Sequence, residues 1–209
     1  MAGLEEFTVI KVLKEEQVQA TFQTPLFGRH NISNCLSAVA LAYTLGVSPD
    51  TLSKALKTFK GVKRRQEILG EKKGIVVMDD FAHHPTAVKE TIQAVKQKYP
   101  HRRLVVVFEP RSNSSRRNIF QAQYAGSFDD GDIIMISEPA MMEKIPMAER
   151  FSAEQLVLDL GKRELEAHCF ADTDLLLAYL LSETKAGDMV LIMSNGGFDN
   201  LHQRLLTAI

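Results

Sequence analysis

The sequence predicts an α/β protein: a Rossmann-like, mostly parallel sheet with helices on both faces, preceded by a small α+β piece of a second domain. Three observations carry this. From residue 74 onward, apolar runs at 74–78, 104–108, 132–136 and 188–193, with a weaker one at 167–171, alternate with helical segments near 86–98, 116–126, 153–165, 173–183 and 199–208. Such alternation argues for a parallel sheet covered on both sides. Four of the runs end in unusual polar clusters, and in open α/β sheets the ligand crevice lies beyond the strand ends. Near Gly61 the composition changes, which divides the chain into residues 1–60 and 61–209.

The elements follow in order. Residues 7–13 (FTVIKVL) and 18–23 (VQATFQ) are β-leaning runs around the polar Lys14–Gln17, and they read as a hairpin. After Gly28 a helical pattern begins that Asn31 or Ser33 can cap and Gly46 can close. Ser48 and Pro49 form a second helix start, with Leu52, Ala55, Leu56 and Phe59 at helical spacing up to Gly61. A hairpin and two helices make a poor core alone. Residues 1–60 therefore either pack on the α/β domain or belong to a domain whose remainder is absent.

The strand-end clusters carry the chemistry. They are Asp79-Asp80 with His83-His84, Glu109-Pro110-Arg111-Ser112-Asn113, Ser137-Glu138-Pro139 and Ser194-Asn195-Gly196-Gly197. Each has a plain reading alone: Asp80 as a helix cap before Pro85, the histidines as turn residues, the glycines as a tight turn. Together on one sheet edge they suggest a site for anions and hydroxyls, with arginine forks for carboxylate or phosphate and an aspartate for ribose hydroxyls. Adjacent histidines point apart and no Cys or third His lies at ligand spacing, so no metal site is expected. Neither G-x-x-x-x-G-K-[ST] nor G-x-G-x-x-G occurs. A nucleoside triphosphate would thus be held here by base or ribose, its phosphates elsewhere. The formal net charge of −1 gives no general attraction to nucleic acid or to an acidic membrane. Cys35 and Cys169 read as buried free thiols. Without a signal peptide or a membrane-spanning run, a cytoplasmic protein is expected.

Several strings resemble the Mur ligase family: GRHNISN (28–34), GVKRRQE (61–67) and DDFAHHPTA (79–87), joined by EPRSNSSRR (109–117) and MSNGGF (193–198). The resemblance covers essentially the whole chain. It implies the tail of a central ATPase domain followed by a complete C-terminal domain, without the sugar-binding domain, the phosphate loop and the magnesium centre. It implies ATP and Mg²⁺ as cofactors, the Mg²⁺ held mainly by parts absent from this chain. The implied reaction joins L-alanyl-γ-D-glutamyl-meso-diaminopimelate, the murein tripeptide, to UDP-N-acetylmuramate through an acyl phosphate, in murein recycling. Carried over by residue, His30 and Asn34 contact adenine, Arg65 reaches the ATP phosphates, Asp80 binds ribose and His83 stands beside it as the catalytic histidine. Arg111, Ser112, Asn113 and Arg116 fall where the incoming amine substrate binds, with His84 and Glu138 as further candidates. Domain closure makes the stretch near Gly61 a candidate hinge. Two alternatives stay open: a family member that adds a single amino acid, and a non-catalytic nucleotide- or peptide-binding module.

Overall fold

In the computed structural model, which describes residues 7–209, the chain divides into units Met1–Val62 and Lys63–Ile209. The first opens with the expected hairpin, β1 (Thr8–Lys14) paired antiparallel with β2 (Gln17–Thr24). Glu15 and Glu16 turn it with φ of 49° and 64°. Two left-handed residues match the right-handed strand twist of a two-residue hairpin. Helix α1 (Arg29–Thr44) begins earlier than its expected caps. Gly28 is the N-cap without a side-chain bond, and Asn31 Nδ2 instead donates to Phe27 O at 2.9 Å. Helix α2 (Pro49–Thr58) is capped as expected, by Ser48 Oγ accepting from Thr51 N at 3.3 Å. Among the described residues of this unit the buried hydrophobics are Ile10, Phe22, Cys35 and Leu52. An apolar groove of about 380 Å³ lies beside them, lined among others by Leu26, Val39, Leu56 and Phe59.

The second unit is built on a six-stranded sheet of order β3-β4-β8-β5-β6-β7. Its strands are β3 (Glu67–Lys72), β4 (Ile75–Asp80), β5 (Leu104–Glu109), β6 (Ile133–Ser137), β7 (Ala167–Phe170) and β8 (Met189–Ser194). The last five are mutually parallel where they pair, and β3 runs antiparallel along the β4 edge. Sequence periodicity misses β3, because its side chains are mostly exposed and a register shift between Ile68 and Gly70 breaks its alternation. Five helices cover the sheet: α3 (Pro85–Lys98), α4 (Gln121–Ala125), α5 (Ala153–Gly161), α6 (Thr173–Glu183) and α7 (Leu201–Ala208). The helix expected near 116–126 is reduced to a 3₁₀ turn at Asn118–Phe120 and the short α4. The residues before it are instead engaged in a loop.

Every residue of β4, β5, β6 and β8 is buried, as strands covered on both faces require. On one face Val77, Val105, Val107, Val190 and Ile192 pack with Leu176, Leu180, Leu201 and Leu205. Alternation along β5 sends Phe108 to the other face. There its ring lies 5.2 Å from that of Tyr124 and 5.7 Å from that of Phe128. Cys35 is buried and free, and Cys169, also free, is half-buried on the edge strand β7. Among the described residues no helix is long and apolar enough to cross a membrane.

Candidate functional site

The sheet register places the polar clusters side by side. Asp80 pairs with Met193 across β4 and β8, and Glu109 pairs with Ser194 across β5 and β8. The ends of β4, β8 and β5 therefore form one continuous rim, with β6 beyond. Asp79, Glu109, Ser137 and Ser194 all reach this rim buried. Each buried carboxylate there has a partner, as desolvation demands.

Asp79 is the most heavily paired. Arg64 Nε donates to Asp79 Oδ2 and His202 Nε2 contacts Asp79 Oδ1, both at 3.1 Å. A carboxylate only accepts, so the His202 proton is on Nε2. Burial pushes the Asp79 carboxyl up, but the hydrogen bond and charge of His202, followed by those of Arg64, hold it below its ordinary value. The stability this lowered pKa brings is full above the unfolded aspartate value of about 4. It is lost as pH falls through the lower folded value. In thermal melts, Asp79→Asn is therefore expected to lie well below wild type at pH 6, with the gap closing below about pH 4. A pH-independent gap would show that the charge contributes nothing.

Asp80 is placed differently from the expectation. It is 4% exposed. Its Oδ2 accepts from Gln66 N at 2.8 Å and its Oδ1 from Ala82 N at 2.7 Å, with Thr91 Oγ1 at 3.5 Å. Both of its oxygens are thus already engaged by backbone N–H groups. It is not a helix cap: His84 caps α3, its Nδ1 accepting from Thr86 N at 3.3 Å. His83 Nδ1 is bonded to Phe81 O at 2.9 Å, where the carbonyl must accept, so Nε2 is the ring nitrogen left for another partner.

The segment before β3 is tightly kinked. Arg64 and Gln66 are both left-handed, with φ of 58° and 51°, a conformation that costs a non-glycine residue roughly 1–2 kcal/mol. Four bonds hold it. Arg64 N donates to Glu67 Oε2 at 2.7 Å, Phe81 N to Arg64 O at 2.9 Å, Gln66 N to Asp80, and the Arg64 side chain to Asp79. The kink leaves Arg65 exposed, its guanidinium carbon 4.6 Å from the Phe81 ring centroid, with that of Arg64 at 5.2 Å. Strain of this kind persists where the surroundings over-determine it, and it gathers at functional sites.

Across the rim, Arg111 Nη1 donates to Glu109 Oε1 at 3.2 Å, and Glu109 Oε2 accepts from the Ser194 hydroxyl. Ser194 Oγ in turn accepts from Gly196 N at 2.9 Å. Arg111 lies across Gly196 so closely that a Cβ there would stand 2.1 Å from Arg111 Cδ. Only glycine leaves room for this arginine. Asn195 Oδ1 is buried beside it without a hydrogen-bond partner. Ser112 and Arg116, also expected to bind substrate, are engaged with other groups of the protein. Ser112 Oγ bonds Ser115 Oγ at 2.8 Å and accepts from Ser115 N at 3.1 Å. Arg116 Nη1 donates to Ala140 O and Met141 O, and Nη2 to Asn113 Oδ1 at 3.2 Å. Ser112 and Arg116 thus shape the loop, while Arg111 and the exposed Asn113 are the pair open to solvent. Burial, then the nearby Glu154, push the Glu138 carboxyl up.

His30 and Asn34 stand one turn apart on α1 in the first unit, on one face of that helix. Arg64 and His202 were given no role by sequence reasoning, and Asp79, Ser194 and Gly196 were named only as members of the strand-end clusters. Arg64 and Asp79 sat inside recognisable strings, but His202 lies 123 residues from its partner and carries no local signal. Among the described residues no three His, Cys, Asp or Glu side chains cluster as a metal site.

Comparison with known proteins bears on the family and the fold. The family described as Mur ligase, glutamate ligase domain, matches residues 64–196. The UDP-N-acetylmuramate–L-alanyl-γ-D-glutamyl-meso-2,6-diaminoheptandioate ligase of Escherichia coli K12 is 36% identical over 200 residues, covering 95% of this chain and 42% of that protein. The UDP-N-acetylmuramate–L-alanine ligase of Clostridium kluyveri is 33% identical over 186 residues, covering 89% and 40%. The crystal structure of a murein peptide ligase from Psychrobacter arcticus superposes with a TM-score of 0.69 at 37% identity, covering 90% of this chain and 38% of that one. The chain thus spans about two fifths of the length of these relatives.

Proposed function

The chain belongs to the Mur ligase family, and from that premise we propose that it is the C-terminal part of an ATP-dependent ligase joining L-alanyl-γ-D-glutamyl-meso-diaminopimelate to UDP-N-acetylmuramate. In this reading the first unit is the tail of a central ATPase domain.

The observation that carries the reading is the pair of arginines on one rim. Arg65 is presented by a strained kink, and Arg111 is laid over Gly196. The reaction needs two separated cations. A carboxylate oxygen is a poor leaving group, so the lactyl carboxylate attacks the γ-phosphorus of ATP and ADP departs. The amine nitrogen of the tripeptide then attacks the acyl carbon. The C–O bond to phosphate breaks, phosphate leaves with the electron pair, and the nitrogen loses a proton. The residues of this chain contribute positioning and charge neutralisation, the main demands of such transfers. Arg65 offsets phosphate charge from above Phe81, and the Nε2 of His83 meets a phosphate oxygen beside it. Arg111, with Asn113, holds a carboxylate of the tripeptide as a fork. His30 and Asn34 face adenine from α1. Asp80 holds Gln66 N and Ala82 N. Mg²⁺ would be held mainly by residues outside the described ones, among which no three His, Cys, Asp or Glu side chains cluster.

A second reading, addition of L-alanine, is favoured by the similarity to the Clostridium kluyveri enzyme. Phosphate release assays decide between them. A ligase carrying this chain should turn over with UDP-N-acetylmuramate, ATP and the tripeptide, and poorly with L-alanine. Preference for L-alanine would establish the second reading. The 209-residue chain alone should release no phosphate with any amine, because nothing in its sequence forms a phosphate loop. ATP-dependent ligation by the chain alone would refute the assignment of the central domain.

A further inference from the structure

Arg64 is fixed from both ends of the rim, and none of these contacts is needed merely to satisfy a solvent-facing arginine. Its Nε is held by Asp79 at 3.1 Å, and Asp79 is itself held by His202 of α7 at 3.1 Å. Its Nη2 donates to Ser194 O and to Gly196 O, both at 2.7 Å. Its own carbonyl accepts from Phe81 N and from Arg65 Nη1 at 3.2 Å. One side chain therefore touches the loop that seats Arg111 and the kink that presents Arg65.

We propose that Asp79 and His202 are positioning residues that act through Arg64, and that Arg64 couples the phosphate-side cation Arg65 to the amine-side seat at Gly196. The function of the coupling rests on the reading of Arg65 and Arg111 given above. The physical argument is one of degrees of freedom. An arginine side chain has several rotatable bonds, and a single carboxylate contact leaves its far end mobile. Here the fork is satisfied at Nε and Nη2 by groups on two strands. The carboxylate that receives Nε is oriented by a histidine from a third element. The Ser194–Gly196 backbone and the left-handed Arg64 backbone are thereby set together. A shift of either moves the other, since the guanidinium plane is rigid. His202 touches neither Arg65 nor Arg111 among the bonds described, so its influence on them must pass through Asp79 and Arg64.

Arginine side-chain and backbone ¹⁵N NMR of the 209-residue chain tests this, with inorganic tripolyphosphate as the probe. In wild type the Arg64 Nε–H should exchange slowly, and tripolyphosphate should shift the Arg65 Nε–H signal. In His202→Ala the Arg64 Nε–H should exchange at least tenfold faster. The Asn195 and Gly196 amides should shift, and the tripolyphosphate response of Arg65 should weaken several-fold. His202→Gln, which restores an N–H donor, should recover these signals. Slow Arg64 exchange and unmoved Gly196 resonances in folded His202→Ala would overturn the proposal. So would equal disturbance in His202→Gln, since a role in packing alone would not distinguish the donor. If His202→Ala moves Arg64 and Gly196 while tripolyphosphate leaves wild-type Arg65 unshifted, the coupling holds and the phosphate reading of Arg65 falls instead.

Discussion

Arg111→Ala in a ligase carrying this chain is expected to raise KM for the tripeptide by roughly ten- to a hundredfold, the equivalent of losing about 1.5–3 kcal/mol of charge-assisted hydrogen bonding. The constants for ATP and UDP-N-acetylmuramate should stay near wild type. The tripeptide carries several carboxylates, and a planar fork at a fixed place is the matching donor. Glu109 holds Arg111 through Oε1, and Gly196 lets its side chain lie flat. Arg111→Lys should recover little, because an ammonium cannot span the same two oxygens. Steady-state kinetics with each substrate varied in turn would check this. Unchanged tripeptide constants in both variants would remove Arg111 from the amine site.

The largest effect on stability is expected from Phe108→Ala. Phe108 is wholly buried on a central strand, with Tyr124 and Phe128 against its ring. Truncation removes the transfer energy of the ring and leaves a cavity that two rigid aromatics cannot fill, a loss of about 3–5 kcal/mol. Denaturant unfolding of the second unit should show a lower midpoint at unchanged slope. A loss below about 1 kcal/mol would mean that the aromatic cluster repacks around the gap.

These two sites differ in how far the sequence reveals them. The runs that become β4, β5, β6 and β8 are legible because a strand buried on both faces must be apolar throughout. Their polar ends are legible because nothing in packing asks for Asp, Glu or Arg there. Arg111 stands out for the same reason, whereas Arg65 stands out through the family resemblance of GVKRRQE. The edge strand β3 does not, since Ile68, Leu69, Glu71 and Lys72 face solvent and its register shifts between Ile68 and Gly70. Asp80 shows the limit for single residues. Its string suggests a ligand contact, yet only the fold reveals that Gln66 N and Ala82 N claim its oxygens. Ser112 and Arg116 are similar: a polar loop can spend its polar groups on itself. The Arg64–Asp79–His202 chain is illegible because its members meet only once α7 has returned to the start of the sheet.

The strand order also bears on how the protein is made. The strand inserted between β4 and β5 is β8, residues 189–194, which is synthesised after β4, β5, β6 and β7. Until it arrives, β4 and β5 present facing edges with unfilled hydrogen bonds, and nascent edges of that kind are prone to wrong pairing. The second unit thus cannot complete its sheet until residues 189–194 have been synthesised. A premature stop just before residue 189 would leave the sheet split at its centre. Such a nonsense allele should behave as a null, its product cleared by proteolysis.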